Sequence, residues 1–287
     1  MDDNNKTKIL MRTKTVLFLI IVFGLKINAQ DGGLMDAYEK AQKQYKVFNN
    51  CGSGLDGYMA QLRTLENSVV DASVSLSFAQ EREMGKQMRE EIKLEYNFVT
   101  NALFENQLSE MLTTEILRPY IKRKDVTYTL TIIESDELNA FAHAGGYIYI
   151  STALLSFVES ADELAFIVAH EVSHIDLEHT IRNTKKMLAL QQLGSSYGVE
   201  EMMVLAQDIA LMMETPFGQV DEYEADKNAF AIATAAGFNP TKFSDFFKRL
   251  IDMGVESGGD GESKLTRSHP YLEDRINCIN YYIENGL

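Results

Sequence analysis

His170-Glu171-Val172-Ser173-His174 is the stretch from which the rest of the chain is read. Residues four apart share a helix face, so on a helix both imidazoles aim at one point while Glu171 stands beside them. Two neutral histidine nitrogens so placed suit zinc, which in catalytic sites takes three protein ligands and keeps an open position. The helix is announced upstream: Ser160-Ala161-Asp162-Glu163 has the Ser-x-x-Glu form of a capping box, and Leu164, Ile167, Val168 and Ile175 supply a buried face. The pattern predicts a helix that runs past His179 towards Arg182. At 3.6 residues per turn His179, five residues after His174, is then rotated about 140° off the metal-facing side, which makes it structural or solvated rather than a ligand.

Two histidines do not complete such a centre, and the third ligand has to come from another element. Glu222-Tyr223-Glu224-Ala225-Asp226 offers it: Glu222 and Asp226 share a helix face, so Glu222 is the candidate ligand and Asp226 the carboxylate that accepts the free N–H of a ligating histidine. The helix carrying them is expected from about Gln219 to Ala236, closed by Gly237, with a further helix from Asn239-Pro240 to Met253.

Before the histidine helix, Val126 to Ile133 alternates and is β-branched, which predicts a strand, and Gly145 to Ser151 predicts a second, with Asn139-Ala140-Phe141-Ala142-His143-Ala144 between them. Gly145 and Gly146, followed by Tyr147, let another backbone approach closely, as an edge strand receiving an extended peptide requires; a plain hairpin turn is the alternative. Residues 77–117 are helical in pattern, with Phe78, Met84, Met88, Ile92 and Tyr96 forming a core stripe and a second run from Leu103 to Leu112. A Met-rich run from Met202 to Met213 reads as core or a flexible wall, and Gly254 to Gly261 as a flexible loop able to move over the site.

The chain has 287 residues, 45% of them hydrophobic, enough for a sizeable core. Residues 1–29 read as a secretory signal peptide: Lys6, Lys8, Arg12 and Lys14 precede an apolar run from Val16 to Leu25, with cleavage after Ala29 and an uncleaved anchor as the alternative. The expected division is therefore 1–29 leader, 30–76 N-terminal extension and 77–287 metal-binding domain, exported to the periplasm or the exterior, with no integral membrane span in the mature chain. The net charge is −15, and −18 without the leader, which carries five basic and two acidic residues; such a body repels nucleic acid and anionic membranes. Cys51 and Cys278 are either one disulfide clasping the two ends or two separate thiols.

From about Phe78 to the C-terminus the chain resembles the gluzincin-type metallopeptidases that include HtpX, the CAAX prenyl proteases and the soluble periplasmic BepA/LoiP-like proteins. Four ordered landmarks carry the resemblance: Asn139-Ala140-Phe141-Ala142 with Gly145-Gly146-Tyr147-Ile148, then the His170–His174 motif, then Glu222 to Asp226, then Ser268-His269-Pro270 followed by Arg275. It implies an α+β fold, mainly helical and zincin-like, with a small β-sheet whose edge strand flanks the active-site helix. It further implies one zinc ion held by His170, His174 and Glu222, with Glu171 as catalytic acid/base, and hydrolysis of extended or misfolded polypeptides in envelope quality control. His269, similar to the family's His-Pro histidine, is a candidate oxyanion donor, a latch on the fourth zinc position, or a helix-entry residue. Arg275 pairs with a carboxylate near the site or lies on the surface. Where relatives often have proline this chain has Ala144 after His143, which leaves His143 to perturb the substrate strand or to reach the cleft. An idle or gated binding protein and a structural zinc site with four permanent protein ligands are the competing readings.

Overall fold

The computed structural model of the chain describes residues 51, 75–99, 108, 110–111, 116–185, 219–254, 265, 269 and 272–286. All of them belong to a unit of residues 50–287, which separates from residues 1–49. The expected leader, most of the 30–76 extension, most of the Leu103–Leu112 run, the Met-rich run and most of the Gly254–Gly261 loop lie outside the described residues.

Helix α1 (Phe78–Glu95) starts at Ser77, whose side chain accepts from the Gln80 backbone while Gln80 Oε1 accepts the Ser77 N–H at 2.9 Å, a reciprocal capping box. The sheet follows, with β1 (Thr129–Ile133), β2 (Ala140–His143) and β3 (Tyr147–Ser151) in the order β1-β3-β2, β3 being parallel to β1 and antiparallel to β2. The stretch expected to join two strands is thus itself a strand, and the Gly145–Ser151 strand is not an edge: β3 is central and β2 is the outer strand beside the histidine helix. Gly145 (φ +87°) and Gly146 (φ +94°) form the turn of the β2–β3 hairpin. A side chain at Gly146 would collide with the Thr127 carbonyl, and Gly85 on α1 lies against the Ala144 carbonyl, so the glycines admit neighbouring backbone of this same chain.

Ser151 Oγ caps the short α2 (Thr152–Phe157), and α3 (Ala161–Asp176) carries the histidine motif. Ser160 caps α3 by accepting from the Glu163 N–H at 3.2 Å; Glu163 reaches back one residue further than a capping box does, accepting from Glu159 N, and forms a bidentate pair with Arg249 at 2.7 and 2.6 Å. Helix α4 (Gln219–Ala235) ends at Gly237 (φ +95°), where Phe238 N donates to Ala233 O and Gly237 N to Thr234 O, a Schellman motif. Asn239 caps a 3-10 turn (Pro240–Lys242) leading into α5 (Phe243–Asp252), and α6 (Leu272–Asn285) closes the unit. The four helices α3 to α6 share a core in which Phe166 stacks on Phe243 at 4.8 Å and Phe230 packs on Phe243 and Tyr282. Cys51 and Cys278 form a disulfide that ties residue 51 to α6.

Helix α3 does not run through to Arg182. It ends at Asp176; Leu177 N returns to Ser173 O, and Glu178 adopts φ +63° before the chain resumes helical form at 179–185. A residue in the left-handed region after a helix turns the chain out of its spiral, so side chains beyond Glu178 no longer follow the helical wheel of α3.

Candidate metal centre

Helix α3 is buried on nearly every face from Ala165 onward, which fixes the rotamers of His170 and His174 by packing. Helix α4 packs against it and is pinned by Asn228, whose Nδ2 donates to Ser173 Oγ at 3.1 Å and approaches Asp176 Oδ2 at 3.4 Å. That contact sets Glu222 and Asp226 over the two histidines. His170 Nε2 lies 3.0 Å from His174 Nε2, and the Glu222 oxygens lie 3.5 and 3.4 Å from those two nitrogens. His269 Nδ1 completes the group, 3.2 Å from His170 Nε2 and 3.1 Å from each Glu222 oxygen. All four residues are buried.

Four ligands held at about 2.0–2.1 Å in a tetrahedron stand about 3.3 Å from one another, which is the spacing found here. Charge supports the same fit: the buried carboxylates of Glu171, Glu222 and Asp226 face the single guanidinium of Arg275, leaving a formal charge of −2 that a divalent cation neutralises. Glu171 Oε2 is buried and has no hydrogen-bond partner among the described residues, while its Oε1 lies 3.4 Å from His269 Nε2. Glu171 lines a cavity of about 20 Å³, room for one water, whose other walls include Phe166, Phe246 and Leu265.

Asp226 Oδ1 accepts His170 Nδ1–H at 2.8 Å, which leaves the Nε2 lone pair of His170 facing the cluster. Arg275, 2% exposed, grips Asp226 through Nε and Nη2, both at 2.7 Å, and reaches Glu222 Oε2 with Nη1 at 3.0 Å. Its guanidinium also lies over the Phe247 ring at 4.4 Å. Burial pushes both carboxylates up, but for Glu222 the charges of His269 and Arg275, and for Asp226 that of Arg275, outweigh it and hold them below the ordinary range. Burial and Arg275 lower His170, yet its hydrogen bonds to Asp226 and Glu222 prevail and raise it to about 9; burial holds His174 below its ordinary value.

Gly145, Gly146 and Tyr147 are not brought to this cluster; they sit at the sheet turn against α1 and Thr127. His143 lies in an aromatic layer, stacked on Tyr147 and Tyr149, with Nδ1–H donating to Ala144 O at 2.9 Å and Nε2 accepting from Tyr149 Oη at 3.1 Å. Burial lowers its pKa to about 4, so it is neutral in its layer. His179 lies outside the four-residue cluster, structural and buried rather than solvated. The break at Glu178 returns its ring to α3, fully buried, with Nδ1 3.0 Å from His174 Nδ1.

The family description "Peptidase family M48" matches residues 103–283. The chain is similar to the beta-barrel assembly-enhancing protease of Escherichia coli K12, 25% identical over 226 residues, which cover 74% of this chain and 46% of that protein. It is also similar to the mitochondrial metalloendopeptidase OMA1 of Arabidopsis thaliana (28% over 137 residues, 47% of this chain and 28% of the relative) and to that of Homo sapiens (24% over 210 residues, 66% and 40%). The matches to the assembly-enhancing proteases span about half the length of those relatives. Among the described residues no helix is long and apolar enough to cross a membrane.

Proposed function

The chain belongs to peptidase family M48, and from that premise we propose that it is an exported zinc endopeptidase that cleaves extended or misfolded polypeptides, with one zinc ion per chain. The observation that carries the reading is the spacing of His170, His174 and Glu222 beside a buried Glu171 whose Oε2 makes no hydrogen bond among the described residues. A bound zinc ion supplies Lewis-acid polarisation of the scissile carbonyl and lowers the pKa of water held there from 15.7 to about 7. His170 and His174 offer Nε2 lone pairs, fixed for His170 by Asp226; Glu222 offers carboxylate oxygen. Glu171 takes the proton of the attacking water and hands it to the leaving amine, with the one-water cavity at its side. The outer strand β2, rather than the glycine pair, is where an extended peptide adds to the sheet. The names of the relatives, protein-assembly and mitochondrial proteases, support a substrate drawn from envelope protein quality control. The Cys51–Cys278 disulfide supports an oxidising compartment, as the expected leader does.

His269 favours the latch over the oxyanion donor, because its Nδ1 stands at ligand spacing from His170 Nε2 and from both Glu222 oxygens. The test compares wild type, Glu171→Gln and His269→Ala on an unfolded protein at matched zinc occupancy. Glu171→Gln is expected to lose about 10²–10⁴-fold in kcat with zinc retained, and His269→Ala to gain activity. A zinc-loaded wild type that cleaves nothing, unchanged by Glu171→Gln, rejects the peptidase reading in favour of a binding protein. Loss of activity in His269→Ala makes His269 the donor.

A further inference from the structure

His179 sits on the far side of His174 from the cluster, and its two nitrogens are both engaged. Nδ1 lies 3.0 Å from His174 Nδ1, and Nε2 lies 3.2 Å from Glu224 Oε2 and 3.8 Å from Asp221 Oδ1. The ring is fully buried, whereas the Glu224 side chain is 44% exposed, so the chain of contacts runs from the buried centre to the surface. Asp221 is engaged by Arg182, whose Nη1 donates to Oδ1 at 3.0 Å.

Protons on these rings can be placed by elimination. His174 Nε2 faces His170 Nε2 and Glu222 at ligand spacing, so in the metal-bound state that nitrogen presents its lone pair and a neutral His174 carries its hydrogen on Nδ1. Two Nδ1 atoms 3.0 Å apart need one hydrogen between them, so His179 Nδ1 accepts. A neutral His179 then carries its hydrogen on Nε2, pointed at the Glu224 carboxylate. Each bond fixes the next, and the series closes without a surplus or missing proton.

We propose that His179 is a positioning residue of the metal centre, accepting His174 Nδ1–H and donating Nε2–H to Glu224, so that His174 is locked in the tautomer and ring orientation that serve the metal. The inference rests on the reading of the cluster as a zinc site. His179, Asp221 and Glu224 also lie close enough to hold a cation of their own. The proton count opposes that alternative: with Nδ1 accepting from His174, a cation on Nε2 would require His179 to be an imidazolate anion, and Arg182 already supplies positive charge to Asp221. The relay parallels the Asp226 contact on His170, so each histidine of the motif is held from behind by its own acceptor.

The test uses the full oxidised chain and zinc alone as the probe. In ¹⁵N-histidine-labelled, zinc-loaded wild type, the relay expects His174 to carry hydrogen on Nδ1 and His179 on Nε2. By chelator competition, His179→Ala should weaken zinc binding about 10–100-fold, and His179→Asn, whose Oδ1 can take the place of Nδ1 as acceptor, should stay within about threefold of wild type. A His179 found with its hydrogen on Nδ1 overturns the proposal without any variant having to fold. So does His179→Ala binding zinc as tightly as wild type, or His179→Asn binding as weakly as the alanine. Two zinc ions per chain, falling to one in His179→Ala, would make the outer group a second metal site instead. A wild type that takes up no zinc rejects the metal centre itself, a result distinct from every other outcome.

Discussion

Replacing Arg275 with methionine keeps a long, unbranched side chain in place and removes one charge from the deepest ion cluster of the fold. Three charge-assisted bonds are lost, two to Asp226 at 2.7 Å and one to Glu222 at 3.0 Å, together with the contact over Phe247. Because both carboxylates are fully buried, they are left with an uncompensated desolvation cost. Breaking a buried pair by removing one partner costs about 3–5 kcal/mol, and at about 2–4 °C per kcal/mol for a domain of this size the melting temperature of the zinc-free protein falls by about 6–20 °C. The pH dependence gives the signature. Glu222 and Asp226 are held below their unfolded values, so their contribution is present above about pH 4 and is lost as pH falls through the folded values. Arg275→Met raises both folded values, so the gap between wild type and variant is widest at neutral pH and narrows below about pH 4. Urea unfolding of the EDTA-treated, oxidised proteins from pH 3 to 8, followed by circular dichroism, measures this. A loss under about 1 kcal/mol, or one constant across that range, would refute the assignment of Arg275 as the counter-charge of the centre. Arg275→Lys, a single point charge without the fork, should fall between the two.

Gly146→Ala should cost about 2 kcal/mol or more, since the added methyl meets the Thr127 carbonyl in a left-handed conformation, whereas Gly237→Ala, equally left-handed but facing open space, should cost about 1; equal urea midpoints would contradict this. Glu178→Gly relieves a left-handed side-chain residue and should stabilise by up to about 1 kcal/mol, while Glu178→Val should cost about 1–2. A glycine variant that melts below wild type would mean that the turn is not held in that conformation.

The parts of the site legible in the sequence are those written in a single helix. His170 with His174, and Glu222 with Asp226, follow from four-residue spacing alone, and Gly237 marks the end of α4 because a Schellman turn needs φ above zero. What was not legible depended on breaks and pairings. The four-residue strand β2 is too short to show its alternation between two turns, and without it the neighbouring strand is assigned to the edge instead of the centre. The end of the histidine helix at Asp176, and with it the contact of His179 with His174, is not legible because the left-handed position after it holds Glu178 rather than the glycine that signals such a turn. The depth of Arg275 and the meeting of Cys51 with Cys278 are tertiary facts, since nothing local to either sequence specifies its partner.

The disulfide joins positions 227 residues apart, so every group of the centre, from His170 to Arg275, lies inside one covalent ring. A single peptide-bond cut anywhere between the two cysteines opens that ring without releasing a fragment. If the cleft cleaves polypeptides as proposed, self-cleavage in an exposed loop would therefore yield a two-piece molecule that travels as one on a non-reducing gel and separates only when the sulfurs are reduced.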